Sequence, residues 1–271
     1  MKAKVFGLSL ALAALCGVPA LAQTPAQTPA PAAAPARTPS PAAQARPAAK
    51  PDEKLPAAEV LFDNYLKALG GEAALDKFKS RVMRGTVEIA PMGVKGTYET
   101  SQKAPDRLLT TMTLTGLGTL QQGYDGAVGW SKDPFTGQRE LKGGELATVQ
   151  RSALINPKGW RKSYNSMKTT GRSQVGGREV YVVEGAYAAD APDKLYFDAQ
   201  TGLLLRMDVV VDSPQGRVVS ETTMEDYREV DGVKVPYSVS AVVGAATVVM
   251  RVGEIKHDVA LDDKMFARPA P

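Results

Sequence analysis

The chain has almost none of the side chains that most enzymes and metal sites use. Among 271 residues there is one cysteine, Cys16, and one histidine, His257. Cys16 sits inside an N-terminal apolar run, and the residue before it, Leu15, is not the small residue of a lipoprotein acylation site. Removal of that run leaves no thiol, so neither disulfides nor thiol chemistry is expected. A histidine-based zinc site needs more than one imidazole. A Ser-His-Asp triad would have to use His257, which is expected at a rim where a strand ends, and no G-x-S-x-G elbow supplies a nucleophile. Neither the G-x-x-x-x-G-K-[ST] phosphate loop nor G-x-G-x-x-G occurs, and Leu114-Thr115-Gly116-Leu117-Gly118 reads as a turn. Asp198, Asp208, Glu225 and Asp226 are scattered, and Asp262-Asp263 lacks the ordered oxygen spacing of a calcium loop. The expectation is a non-catalytic protein with no catalytic residue, no metal and no cofactor.

Long apolar runs are also missing, with one exception. Lys2 and Lys4 precede the uncharged stretch Val5–Val18, and Ala20-Leu21-Ala22 offers small residues at a cleavage site. This is the pattern of a secretory signal peptide over 1–22, cut after Ala22. The run falls short of the roughly 20 apolar residues of a spanning helix. No other stretch approaches a transmembrane segment, so a periplasmic location is expected.

Residues 23–56 are almost entirely Ala, Pro, Gln and Thr, with no aromatic. Such a segment cannot bury enough apolar surface to offset its ordering entropy, and it reads as a disordered tether. Charge follows the same division. Lys2, Lys4, Arg37, Arg46, Lys50 and Lys54 are six of the 33 basic residues, and Asp52 and Glu53 are two of the 29 acidic ones. The domain over 57–271 therefore carries 27 of each sign. A neutral domain without a basic stripe has no electrostatic footprint for nucleic acid.

What is present is a strand-rich domain of one core's length. Val60, Leu61, Tyr65, Leu66 and Leu69 recur at helical spacing over Ala58–Leu69, and Gly70-Gly71 ends that helix. Glu72–Phe78 reads as a second short helix and Glu145–Ile155 as an interior one, stopped by Asn156-Pro157. Between and after them lie about eleven strands bounded by turn residues, with hairpins marked by Asp125-Gly126 and by Ala199-Gln200-Thr201-Gly202. Local connections of this kind predict a mostly β, α+β domain. Its large antiparallel sheet must curl, and helices cover its concave face.

Three segments carry a family resemblance. The opening Val60-Leu61-Phe62-Asp63-Asn64-Tyr65-Leu66-Lys67-Ala68-Leu69-Gly70-Gly71 is one. The hairpin Leu195-Tyr196-Phe197-Asp198-Ala199-Gln200-Thr201-Gly202-Leu203-Leu204-Leu205-Arg206 is the second. The run Asp226-Tyr227-Arg228-Glu229-Val230-Asp231-Gly232-Val233-Lys234-Val235-Pro236 is the third, and the closing Met265-Phe266 before Pro269 fits as well. Together they resemble the outer-membrane lipoprotein-sorting (LolA/LolB-like) superfamily over most of the chain from Ala57. The resemblance implies an incomplete, strongly curved barrel lidded by helices. In carrier members of that superfamily the apolar interior receives lipoprotein acyl chains.

The expected function is a periplasmic carrier that binds a lipid or lipoprotein acyl chain. The alternative is a non-enzymatic interaction or sensory module whose partner is an envelope protein. A dry interior of more than a few hundred Å³ would mark the first, and a packed interior beside an exposed apolar patch the second. Strand alternation selects Val87, Ile89, Tyr98, Met112, Leu114, Leu120, Trp130, Leu205, Met207, Val209, Met224 and Met250 as candidate cavity residues.

Overall fold

A computed structural model describes residues 54–162, 164–186, 192–213 and 216–270. The expected signal peptide and nearly all of the expected tether lie outside the described residues. Pro56 already touches the domain, because its carbonyl accepts a 2.6 Å hydrogen bond from Thr169 Oγ1.

Two helices come first, α1 (Ala58–Ala68) and α2 (Glu72–Leu75). Six strands follow: β1 (Ser80–Ala90), β2 (Val94–Lys103), β3 (Arg107–Leu114), β4 (Gly118–Tyr124), β5 (Gly129–Asp133) and β6 (Gly137–Glu140). The connection to the second half carries α3 (Gly143–Ser152) and α4 (Lys158–Arg161). Seven more strands complete the chain: β7 (Ser166–Val175), β8 (Arg178–Ala186), β9 (Asp193–Asp198), β10 (Leu204–Ser213), β11 (Gly216–Val230), β12 (Val233–Val243) and β13 (Ala246–His257). A 3-10 turn, Asp263–Phe266, closes the fold.

All thirteen strands form one antiparallel sheet in the order β6-β5-β4-β3-β2-β1-β13-β12-β11-β10-β9-β8-β7. The first and last strands therefore pair in the middle, and β6 and β7 form the two edges. Those edges do not pair, so the sheet is a curved, unclosed half-barrel, as the strand pattern predicts. The strand count is two above expectation. Gly137–Glu140 contains no apolar residue, so β6 gives no alternation signal. After α4 ends at Arg161, β7 starts only at Ser166.

The helices are amphipathic where they meet the sheet. Leu61, Phe62, Tyr65 and Leu66 form the buried stripe of α1. The Phe62 ring meets Phe197 of β9 edge-on at 6.0 Å, and Tyr65 lies 5.7 Å from the same ring. Gly70 ends the helix at φ +124°, where a Cβ would stand 2.3 Å from the Gly232 carbonyl oxygen. Only glycine permits that approach, which lets Lys234 N–H donate to Leu69 O at 2.8 Å and docks α1 on β12.

Three apolar clusters result. One lies under α1, against β8–β11. The second fills the bend of the sheet, with residues from β1–β4, β12 and β13. The third packs α3 against β3 and β4. Since α3 also contacts β10, it spans the two arms of the half-barrel.

Candidate functional site

One apolar cavity lies between the lid helices and the middle of the sheet. Its floor is Met83 of β1, Tyr98, Thr100 and Gln102 of β2, and Leu108 and Thr110 of β3. Met224 and Tyr227 of β11, Val235 and Val239 of β12, and Met250 and Val252 of β13 continue it. Its roof is Tyr65 and Leu69 of α1, Leu75 of α2, and Ser152, Leu154, Ile155 and Pro157 after α3. The open volume is about 110 Å³, where a single water needs roughly 10–15 Å³ on the same measure. It holds several waters or a stretch of one alkyl chain. The interior is thus neither the cavity of several hundred Å³ expected for a preformed carrier nor fully packed.

Arg81 and Gln102 sit together at one end of the cavity. Its only charged linings are Arg81 and, at the exposed rim, Lys234; no aspartate or glutamate lines it. Arg81 donates to Gln102 Oε1 through Nε at 3.0 Å and Nη2 at 2.6 Å. Gln102 Nε2 in turn donates to the Ser152 carbonyl at 2.6 Å, fixing the amide so that its oxygen faces Arg81. Burial lowers the Arg81 pKa to about 10, so the group remains a cation at neutral pH. Thr100 and Thr110 hydroxyls pair at 3.2 Å in the middle of the floor. Tyr65 and Tyr227 hydroxyls bond each other, and Tyr227 donates to Leu204 O at 2.7 Å. Burial pushes both phenols up, and that of Tyr98 to about 12. All three are neutral at physiological pH.

The twelve residues selected by alternation are all buried. Tyr98, Met224 and Met250 line the cavity. Val87, Ile89, Met112, Leu114 and Leu120 form the packed cluster at the bend, continuous with Tyr98 and Met250. Leu205, Met207 and Val209 belong to the core around α1. An irregularity between Leu204 and Arg206 accompanies the burial of both Leu204 and Leu205 there, since a bulge re-aims side chains. Trp130 is away from the cavity. Its indole N–H donates to Phe266 O at 2.8 Å, and a Cβ on Gly123 would lie 2.4 Å from its ring.

Sequence reasoning missed Arg81, Gln102 and the roof. The alternation that selects Val87 and Ile89 on β1 runs back through Met83 to Arg81, but a charged residue gives no apolar signal. His257 ends β13 as expected, yet its side chain is 4% exposed. It stacks on Phe78 at 3.9 Å and meets Asp231 Oδ2 at 2.8 Å through Nδ1. The segment after α2 covers its ring, while the residue stays partly exposed at the strand end.

The roof is clasped from outside. Asp76, just after α2, accepts from Asn156 Nδ2 at 2.9 Å and from Lys158 Nζ at 2.6 Å. Lys158 also reaches Glu72 at 3.0 Å, and Arg161 of α4 pairs with Asp63 of α1. These groups are all partly exposed, so each pair contributes little. A second polar site lies deeper, at α3. Arg151 Nη1 stands 3.9 Å from Asp193 Oδ2, which also accepts from Tyr164 at 3.0 Å. Burial pushes the Asp193 carboxyl up to about 6 against the pull of Arg151 and Tyr164. Among the described residues, no group of three or more His, Cys, Asp or Glu residues is placed to hold a metal. No helix among them is long and apolar enough to cross a membrane.

A half-barrel with helical lids is the fold that the family resemblance of the sequence implies, and comparison with solved structures finds that fold. The chain is similar in fold to a LolA superfamily protein from Nitrosomonas europaea, with a TM-score of 0.53, 14% identity, and coverage of 79% of this chain and 98% of that one. A DUF1329 family protein from Desulfovibrio piger gives a TM-score of 0.51 at 15% identity, over 77% and 96% of the two chains. A domain from Vibrio parahaemolyticus described as outer membrane lipoprotein-sorting gives 0.50 at 9% identity, over 76% and 94%. At these identities the likeness establishes the fold. No protein-family model matches the sequence, and neither does any curated protein.

Proposed function

We propose that this domain is a non-catalytic carrier that takes up one apolar chain of a lipid or lipoprotein in the periplasm. The observation that carries the reading is the apolar cavity between sheet and roof, whose walls continue into the methionine-bearing cluster at the bend. Methionine side chains adapt to irregular contents, and Met83, Met112, Met224 and Met250 lie along this path. Each methylene transferred from water into such a space is worth about 0.8 kcal/mol, so a long chain is held without covalent chemistry. Export by a signal peptide cleaved after Ala22 would place the domain in the envelope with the extended segment 23–56 at its N-terminus. Uptake of more than a short stretch requires the roof to lift, and its exposed ion pairs are weak enough to open.

The test is native mass spectrometry of protein purified without detergent from a periplasmic extract, followed by organic extraction. A co-purifying lipid or acylated peptide, lost in Met250→Lys, is the expected result. An apo mass that stays unchanged after incubation with lipids and lipopeptides would overturn the carrier reading.

A further inference from the structure

We propose that the cavity selects an amphiphile with one alkyl chain and a carboxylate head, the carboxylate pairing with Arg81. The proposal rests on the carrier reading and adds the class of ligand to it.

The first support is an uncompensated charge. Arg81 points into a space whose lining contains no carboxylate, and its only hydrogen-bond acceptor among the described residues is the neutral Gln102 oxygen. A guanidinium has five N–H donors, and Gln102 engages Nε and one hydrogen of Nη2. The outer edge, Nη1 with the second Nη2 hydrogen, remains. That edge is the planar fork that a carboxylate fits with two parallel bonds. A half-buried cation without an anion beside it is still partly desolvated, so the pocket gains from a ligand that brings the anion with it.

The second support is the polarity gradient. On β2 the inward positions run Gln102, Thr100, Tyr98, and on β3 Leu108, Thr110, Met112, Leu114. From Gln102 to Tyr98 is four residues, about 13 Å of strand. Cation and amide mark one end, paired hydroxyls the middle, and beyond Tyr98 lies the packed apolar cluster at the bend. A head at Arg81 therefore directs a tail toward Met250, Met112 and Ile89. The third support is size, because about 110 Å³ suits part of one chain and not several side by side.

Isothermal titration with dodecanoate, dodecanol and dodecyl phosphate, each below its micellar concentration, tests the assignment. Wild-type protein should bind dodecanoate at least about tenfold tighter than dodecanol, as expected for a charged hydrogen-bonded pair. Arg81→Met and Arg81→Gln should abolish that preference, so that acid and alcohol bind alike, and Arg81→Lys should keep part of it. Circular dichroism checks that each variant folds. Should Arg81→Met not fold, the wild-type comparison and Arg81→Lys still decide. Equal binding of acid and alcohol by wild type, or a preference surviving Arg81→Met, would overturn the role of Arg81 and leave the carrier standing. Tighter binding of dodecyl phosphate would overturn the carboxylate assignment. Binding of none of the three would bring down the carrier reading itself.

Discussion

Arg151 and Arg81 both face the interior, and their surroundings differ in one respect. Arg151 has the buried carboxylate of Asp193 within 3.9 Å, itself held by Tyr164. Arg81 has an amide oxygen and a cavity. The first arrangement completes its own charge and joins α3 to β9, which is what a structural tie across the half-barrel needs. The second leaves its charge to be completed from outside. The contrast separates a tie from a site in a protein with almost no other chemistry inside.

The largest expected effect comes from breaking the complete pair. Asp193→Ala leaves the buried Arg151 without its carboxylate, and urea unfolding at pH 7 should show a loss of about 3–5 kcal/mol. Arg81→Met removes a cation that has no carboxylate, and should leave the urea midpoint unchanged or raise it. Equal losses for the two would erase the distinction.

The pH dependence sharpens the contrast from the acid side. The Asp193 carboxyl titrates at about 6 when folded, above its ordinary 3.8, chiefly through burial. The folded state therefore holds the extra proton between these values. The stability this contributes is full below about pH 4 and is lost as pH rises through 6. Stability curves of wild type and Asp193→Asn should accordingly diverge across pH 4–7, with wild type gaining on acidification relative to the variant. Parallel curves would contradict the burial of that carboxyl.

The smallest effect belongs to the clasp. Lys158→Ala removes exposed pairs to Asp76 and Glu72, and its urea midpoint should match wild type within error. Its dissociation rate for a bound alkyl probe, measured by stopped-flow fluorescence, should rise if the clasp holds the roof. A large stability loss would place Lys158 in the core fold instead.

Much of the architecture was legible because it rests on periodic signals. The stripe of α1 and the strand alternation specify which side chains are buried, and all twelve selected residues are, although Trp130 pairs with Gly123 on the face opposite Leu120 and Tyr124. Asp125-Gly126 marks a real turn, where the Asp125 carboxylate accepts from the Ala127 and Val128 amides. The polar edge strand β6 was not legible, since nothing apolar marks it. Alternation also does not distinguish an inward side chain that meets another from one that meets open space. Val87 and Met250 give the same signal, yet only Met250 lines the cavity. That difference arises from where α1, α2 and the segment after α3 come to rest. Arg81 was missed for a related reason: a strand-start arginine reads as solvated until the roof is placed over it.

The methionines make the most direct test, because they sample the whole interior. Protein labelled with 13C at the methionine methyls and titrated with dodecanol reports each site separately. The account predicts shifts at Met83, Met224 and Met250, which line the cavity, and none at Met207, packed in the α1 core, or at exposed Met92. Shifts confined to Met92, or no shifts at saturating dodecanol, would contradict the claim that this cavity takes up an apolar chain.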